Sequence, residues 1–199
     1  MTKSAGDLID EWFDGRQADG DFVRYDRSVT YSILPPARRG APIIYSTKTN
    51  AIATAMDNDE ADADFGFIMR YGLPSRADAT AIRRLVGSDE LCFLGDLDPS
   101  DLMIFAWLRA RLRPKRVRFL GISDWYLDRL KAKLPESFTI QLSRSEQRSL
   151  PLLRRVLPDV NTLVGEQCGE LLARRRKIEL EAVVSALGPG KSIVAPALY

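Results

Sequence analysis

Four short apolar runs, the first three each followed by a stretch of helical periodicity, constrain this chain more than any other feature. "APIIYS" (41–46) reads as a buried strand and "TKTNAIATAM" (47–56) as the helix behind it. "FGFIMRYG" (65–72) is a second strand, closed by Gly72 and Pro74. "SRADATAIRRLVG" (75–87) follows as a helix, with Ser75 as N-cap and Gly87 as its stop. "ELCFLG" (90–95) and "PSDLMIFAWLRARL" (99–112) repeat the unit, and "KRVRFLG" (115–121) supplies a fourth strand. Parallel neighbours need a crossover long enough to hold a helix, so this alternation predicts an α/β fold: a mainly parallel sheet with helices on both faces. Ligands of such sheets lie beyond the carboxyl ends of the strands.

Outside this region the pattern changes. "SDWYLDRLKAKLP", a short "SFTIQL" and "SRSEQRSLPLLRRVLP" are mostly helical, and residues 165–188 read as one long helix lying on the domain through Leu171, Ile178, Ala182 and Val183. The C-terminal portion is therefore expected to be helical. Residues 1–40 form an N-terminal arm, with a short helix in "SAGDLIDEWFDG" and an edge strand or extended segment in "DFVRYDRSVTYSILPP". The main domain spans 41–188 and a tail 189–199. "GPGKS" (188–192) looks like the end of a phosphate-binding loop, but it follows a helix, has Ser185 where the first glycine belongs, and leaves too few residues for the helix that must come next.

The residue inventory excludes several chemistries. There is no histidine, which removes the usual general base, imidazole metal ligands and every Ser-His or Cys-His pairing. Cys92 and Cys168 form no metal-ligand spacing and no disulfide framework, and a reducing, cytoplasmic setting fits them. The acid-rich first thirty residues do not resemble a signal peptide, and no segment reaches the eighteen apolar residues of a membrane span, so no membrane association is expected.

A net charge of +2 does not by itself argue for nucleic acid, but the basic residues are clustered. Arg109, Arg111, Arg113, Lys115 and Arg116 lie in "RARLRPKRVR" (109–118), and Arg174, Arg175, Arg176 and Lys177 are consecutive. Two solvated helix ends would account for both, since cations at a helix C-terminus are favourable by a few tenths to about 1 kcal/mol. Gathered on one surface, they would instead contact phosphates.

"FLGDLDPSDLMIF" (93–105) allows two readings. Asp98 before Pro99, with Asp101 three residues on, is how a capped helix starts. That leaves Asp96 unexplained. In an extended segment residues two apart point the same way, so Asp96 and Asp98 can both face the crevice, and magnesium takes one or two such carboxylates with water and phosphate completing its shell.

The order of these segments resembles the Toprim domain, in particular that of the topoisomerase VI A subunit, the related meiotic break-forming proteins and the nuclease subunit of Wadjet-type plasmid-defence systems. Strand "PIIYS", then "YGLPSRADATAIRRL", "FLGDLDPSDLMIFAWLR", "RVRFLG" and "RRRKIELEAV" are similar to that family's successive signatures over residues 41–185. The resemblance implies a Toprim-like (Rossmann-like) sheet, Mg²⁺ at Asp96, Asp98 and Asp101, and nucleic acid, DNA ahead of RNA, as partner.

It also marks departures. The family's first strand ends in a glutamate, where this chain has Ser46, Thr47 and Lys48. The glycine of the family's D-x-D-P-x-G loop is Asp101. Thr80 matches the family's threonine, but its following arginine is Ala81 here, with Arg83 and Arg84 nearby. Family members that cut DNA carry a winged-helix domain with a nucleophilic tyrosine ahead of the Toprim domain. Forty residues are too few to hold one, so Tyr25 and Tyr31 are read as packing or edge-strand residues.

These departures predict weak or absent Mg²⁺ binding. The chain is then a degenerate Toprim-like domain that binds nucleic acid or a separately encoded ATPase or winged-helix subunit, without cutting alone. One alternative is a Mg²⁺-dependent nuclease or topoisomerase-type subunit in which Asp101, Glu179 or Glu181 completes the site. Another is a non-catalytic scaffold, and a homodimer is compatible with each.

Overall fold

The structure, a computed structural model, describes residues 2–15, 31–38, 40–58, 65–87, 90–113, 116–132, 135–188 and 191–198. Lys115 and Tyr25 lie outside them. β1 (Ser32–Leu34), β2 (Ile43–Ser46), β3 (Gly66–Met69), β4 (Leu91–Leu94) and β5 (Val117–Phe119) make one sheet in the order β1-β3-β2-β4-β5. β3, β2, β4 and β5 are mutually parallel, and β1 closes one edge antiparallel to β3. Every residue of β2, β3 and β4 is buried, which is why those segments are unbroken apolar runs and not alternating ones.

The crossovers carry α2 (Thr49–Asn58), α3 (Arg76–Val86) and α4 (Pro99–Arg111). Helices cover both faces of the sheet. α4 is buried along most of its length and packs against α1 (Ala5–Gly15), α3 and α6 (Arg144–Val156), while α2 packs against α9 (Leu180–Leu187). An aromatic cluster joins sheet to α4: the Phe93 ring lies 6.1 Å from Tyr45, 6.2 Å from Phe119 and 5.9 Å from Phe105.

Strand order places the site. The chain steps outward from β2 to β3, then crosses back over β2 to β4 and continues to β5. Direction therefore reverses between β2 and β4, where the flanking crossovers part and leave a crevice. Ser46 registers with Leu94, so the residues leaving both strands emerge side by side.

Residues 165–188 are not one helix. α8 (Glu166–Ala173) stops, β7 (Arg176–Ile178) pairs antiparallel with β6 (Thr139–Gln141), and α9 begins afterwards. The break is at Arg175, which has a left-handed φ of 61°. Arg and Lys are good helix formers, so local preference favours continuation, and the pairing with β6 overrides it. α7 (Val160–Val164) precedes α8, and α5 (Asp124–Leu130) and the short α10 (Ala195–Leu198) complete the helical C-terminal part. Among the described residues no helix is long and apolar enough to cross a membrane.

One buried carboxylate ties α1 to the sheet's helical layer. Asp10 accepts from Trp107 Nε1 at 2.9 Å, Arg76 Nε at 2.9 Å and Arg111 Nη2 at 2.6 Å. Removing it strands a buried indole N–H and takes one partner from the half-buried Arg111 guanidinium, a loss of about 2 kcal/mol. Asp10→Ala should lower the urea midpoint accordingly, and an unchanged midpoint would contradict this role. Next to it, Ser4's hydroxyl and the Arg111 guanidinium hold Asp7 down at about 2. A depressed carboxylate contributes stability above its unfolded value near 3.9 and loses it as pH falls through about 2. The stability gap between wild type and Asp7→Asn should be constant from pH 7 to 5 and close between pH 4 and 2.

Candidate functional site

Asp96 and Asp98 follow β4, and Thr47 and Lys48 follow β2, so the sheet's switch point brings together segments fifty residues apart. Asp98 is extended (φ −140°, ψ 159°) and caps α4, accepting from the Asp101 amide at 2.7 Å, with Pro99 in the first helical turn. The helix-start reading is correct in geometry. The metal-site geometry is present as well, because Asp101 does not complete a capping box. Its Oδ2 turns back to accept from the Asp96 amide at 2.8 Å, and Thr47 Oγ1 donates to Asp101 Oδ1 at 2.8 Å.

The result is a buried acidic triad. Asp96, Asp98 and Asp101 each offer a carboxylate oxygen within 4.8 Å of the others, a spacing that could hold a metal ion. All three are almost fully buried. Asp96 is the most committed of them. Its Oδ1 accepts from the Leu180 amide at 2.7 Å, at the start of α9, and its Oδ2 is ion-paired with Lys48 Nζ. A carboxylate at a helix N-terminus satisfies an otherwise orphaned N–H and meets the positive end of the dipole. Leu97 N donates to Ile178 O at 3.0 Å, so the β7–α9 corner is held to the D-x-D loop at two points.

Charge crowding sets the electrostatics. Burial and the neighbouring charges of Asp101 and Asp98 push Asp96 well above the usual carboxylate range, against the pull of Lys48. Burial and Asp101 push Asp98 up to about 7, and burial raises Asp101 despite Lys48. Burial opposes the Lys48 ammonium, but Asp101, Asp96 and Asp98 outweigh it and hold the proton firmly. Lys48 is thus a permanent cation among three acids.

A cavity of about 210 Å³ opens over Thr47, Lys48, Asp98 and Asp101. Its far wall holds Glu146 of α6 and Glu179, bridged by Lys177 at 3.1 and 3.2 Å. Glu146 is a member of the site that sequence reasoning misses. "SRSE" is a capping-box signature, and Ser143 and Glu146 do form that box, but the other carboxylate oxygen faces Lys177, which no local pattern reveals.

Most other residues nominated from sequence are dispersed. Thr80 is exposed on α3; Glu181, though exposed, follows Leu180 in the first turn of α9 and is near enough for its charge to raise Asp101 further. Arg109 pairs with Asp159 at 3.0 Å and Arg111 with Asp7 at 2.7 Å, both at the C-terminal end of α4, about 18 Å along its axis from Asp98. Arg113 and Arg116 are exposed. Arg174 pairs with Glu170 at 3.1 Å, Arg176 donates to the Thr139 carbonyl at 2.7 Å, and Lys177 belongs to the acidic cavity at the opposite end of α4. Arg175 donates to Gln147.

No protein-family model matches this chain, and no curated protein matches it.

The glycine preceding the triad is required by space. A Cβ on Gly95 would lie 2.6 Å from Asp101 Oδ2 and 2.8 Å from the Phe93 ring, so neither neighbour can stay in place. Gly95→Ala should cost about 1–3 kcal/mol in chemical denaturation, the range of an overpacked core. A variant as stable as wild type would show that Asp101 is not held where described.

Proposed function

We propose that this chain is a degenerate Toprim-like domain in which a lysine occupies the cation's place, acting as a non-cutting, nucleic-acid-binding component of a DNA-processing or defence assembly. The carrying observation is the Lys48 ammonium on Asp96. It sits after β2, where the resembled family has its glutamate, and it offsets one of three buried carboxylates from within the chain.

Phosphodiester cleavage gathers negative charge in the transition state, and metal-dependent enzymes neutralise it with one or two ions held by several carboxylates. Here the donor set fits such an ion poorly. Asp96 has one oxygen on the Leu180 amide and the other on Lys48, and Asp101 accepts from both Thr47 and the Asp96 amide. A divalent ion would have to displace an ammonium that its neighbours hold charged. An ammonium there satisfies the acids structurally but provides no open coordination position for a phosphate oxygen.

The second reading is a Mg²⁺-dependent nuclease, favoured by Glu146 and Glu179 across the cavity from the triad. Asp98, Asp101, Glu146 and Glu179 line the cavity with Lys48 and Lys177, so removal of one lysine would leave acids there that a divalent cation could bridge.

Calorimetric titration with Mg²⁺ and a supercoiled-plasmid cleavage assay separate the two. Wild type should show no saturable binding at millimolar Mg²⁺ and no nicking, whereas Lys48→Met should gain Mg²⁺ binding that Asp96→Asn abolishes. Tight binding by wild type, lost in Asp96→Asn together with plasmid cleavage, would establish the enzyme instead.

A further inference from the structure

The two basic clusters most visible in the sequence are largely engaged within the fold, yet another set of arginines is not. Arg144, Arg148 and Arg154 are exposed on the outer face of α6, and among the described residues none of them forms an ion pair. With Arg175 they line a groove of about 470 Å³ that contains no carboxylate residue. Leu150, Pro151 and Ala173 form the rest of its wall, with Gln147 beside Arg175.

Two features make this a built surface and not a scattered one. Arg144 and Arg148 are one helical turn apart on one side of α6, and Arg154, about 15 Å along the axis from Arg144 and on the flank it shares with Gln147 and Pro151, lines the far end of the groove. Arg175 comes from a different element. It holds the position just past the end of α8, where a left-handed residue is usually glycine, and its φ is 61°. That turn is fixed by the Leu142 amide donating to Arg175 O at 2.8 Å, and the side chain is tethered by donation to Gln147 Oε1 at 3.2 Å. A neutral tether aims the guanidinium at the groove without neutralising it.

From this we infer that the α6 groove is a binding surface for the phosphate backbone of double-stranded nucleic acid. The inference rests on the nucleic-acid reading above and assigns its location. Four guanidiniums facing no acid, in a chain whose net charge is only +2, call for a polyanion. None of the lining residues is aromatic, so there is no platform for stacking unpaired bases, and Gln147, the one amide that could read a base edge, is already bonded to Arg175. Contact is therefore to backbone and independent of sequence. The opposite face of α6 turns Glu146 into the acidic cavity, so the bound duplex lies about one helix diameter from the lysine-filled site.

Fluorescence anisotropy with a labelled 20-base-pair duplex, across 50–300 mM salt, tests this. The triple variant Arg144→Gln/Arg148→Gln/Arg154→Gln should bind at least tenfold more weakly at the lowest salt. It should also flatten the slope of log K against log salt by about 0.9 for each phosphate no longer neutralised. The lysine triple variant, which keeps the charges, should recover most of both, and Arg113→Gln/Arg116→Gln should change neither. Circular dichroism melts establish that each variant folds.

An unchanged slope in the glutamine triple variant, with loss in Arg113→Gln/Arg116→Gln, would overturn the groove assignment while leaving the nucleic-acid reading in place. Wild type failing to bind any duplex at 50 mM salt would overturn both. Tighter binding to a single strand of equal length would overturn the assignment to duplex.

Discussion

A half-buried lysine ammonium set among three buried aspartates, and ion-paired with one of them, is the interaction on which the rest of the site depends. Lys48 follows β2 and Asp96 follows β4, and they meet only because these strands are neighbours at the point where strand order reverses. Without a cation there, the three buried acids could relieve their mutual repulsion only by taking up protons, the direction in which burial and their own charges already push them. The D-x-D loop, the start of α4 and the start of α9 are all organised about that charge. Asp98 caps one helix, Asp96 receives the first amide of the other, and Asp101 joins the loop to Thr47.

This arrangement explains how one stretch of sequence can look both like a helix start and like a metal site. The geometry of a capped N-terminus already turns a carboxylate toward backbone amides. An additional acid two residues earlier adds a second carboxylate on the same side. What distinguishes a structural cluster from a catalytic one is then the identity of the cation. An ammonium makes hydrogen bonds and holds the loop, whereas a divalent ion keeps positions open for substrate oxygen.

The sheet was legible because buried parallel strands appear as short continuous apolar runs, and "PIIYS", "FGFIM" and "LCFLG" are such runs bounded by helical patterns. Ser75, Gly87 and Asp98 were legible because caps are local chemistry. The β7 strand was not, since residues 173–178 favour a helix locally and only pairing with β6 extends them. Glu146 and the Leu180 amide were equally hidden, because their roles arise from packing between distant segments. The basic residues illustrate the converse. The runs at 109–118 and 174–177 draw attention by density, yet most of their described charges meet carboxylates or carbonyls. The α6 arginines, diluted by serine, leucine and proline, remain open to solvent.

If Lys48, and not a divalent ion, neutralises the aspartate cluster, anomalous diffraction from crystals grown in 10 mM MnCl₂ should find Lys48 Nζ on Asp96 and no anomalous peak among the three carboxylates. A manganese ion bound by Asp96, Asp98 and Asp101, with the lysine side chain displaced, would contradict it.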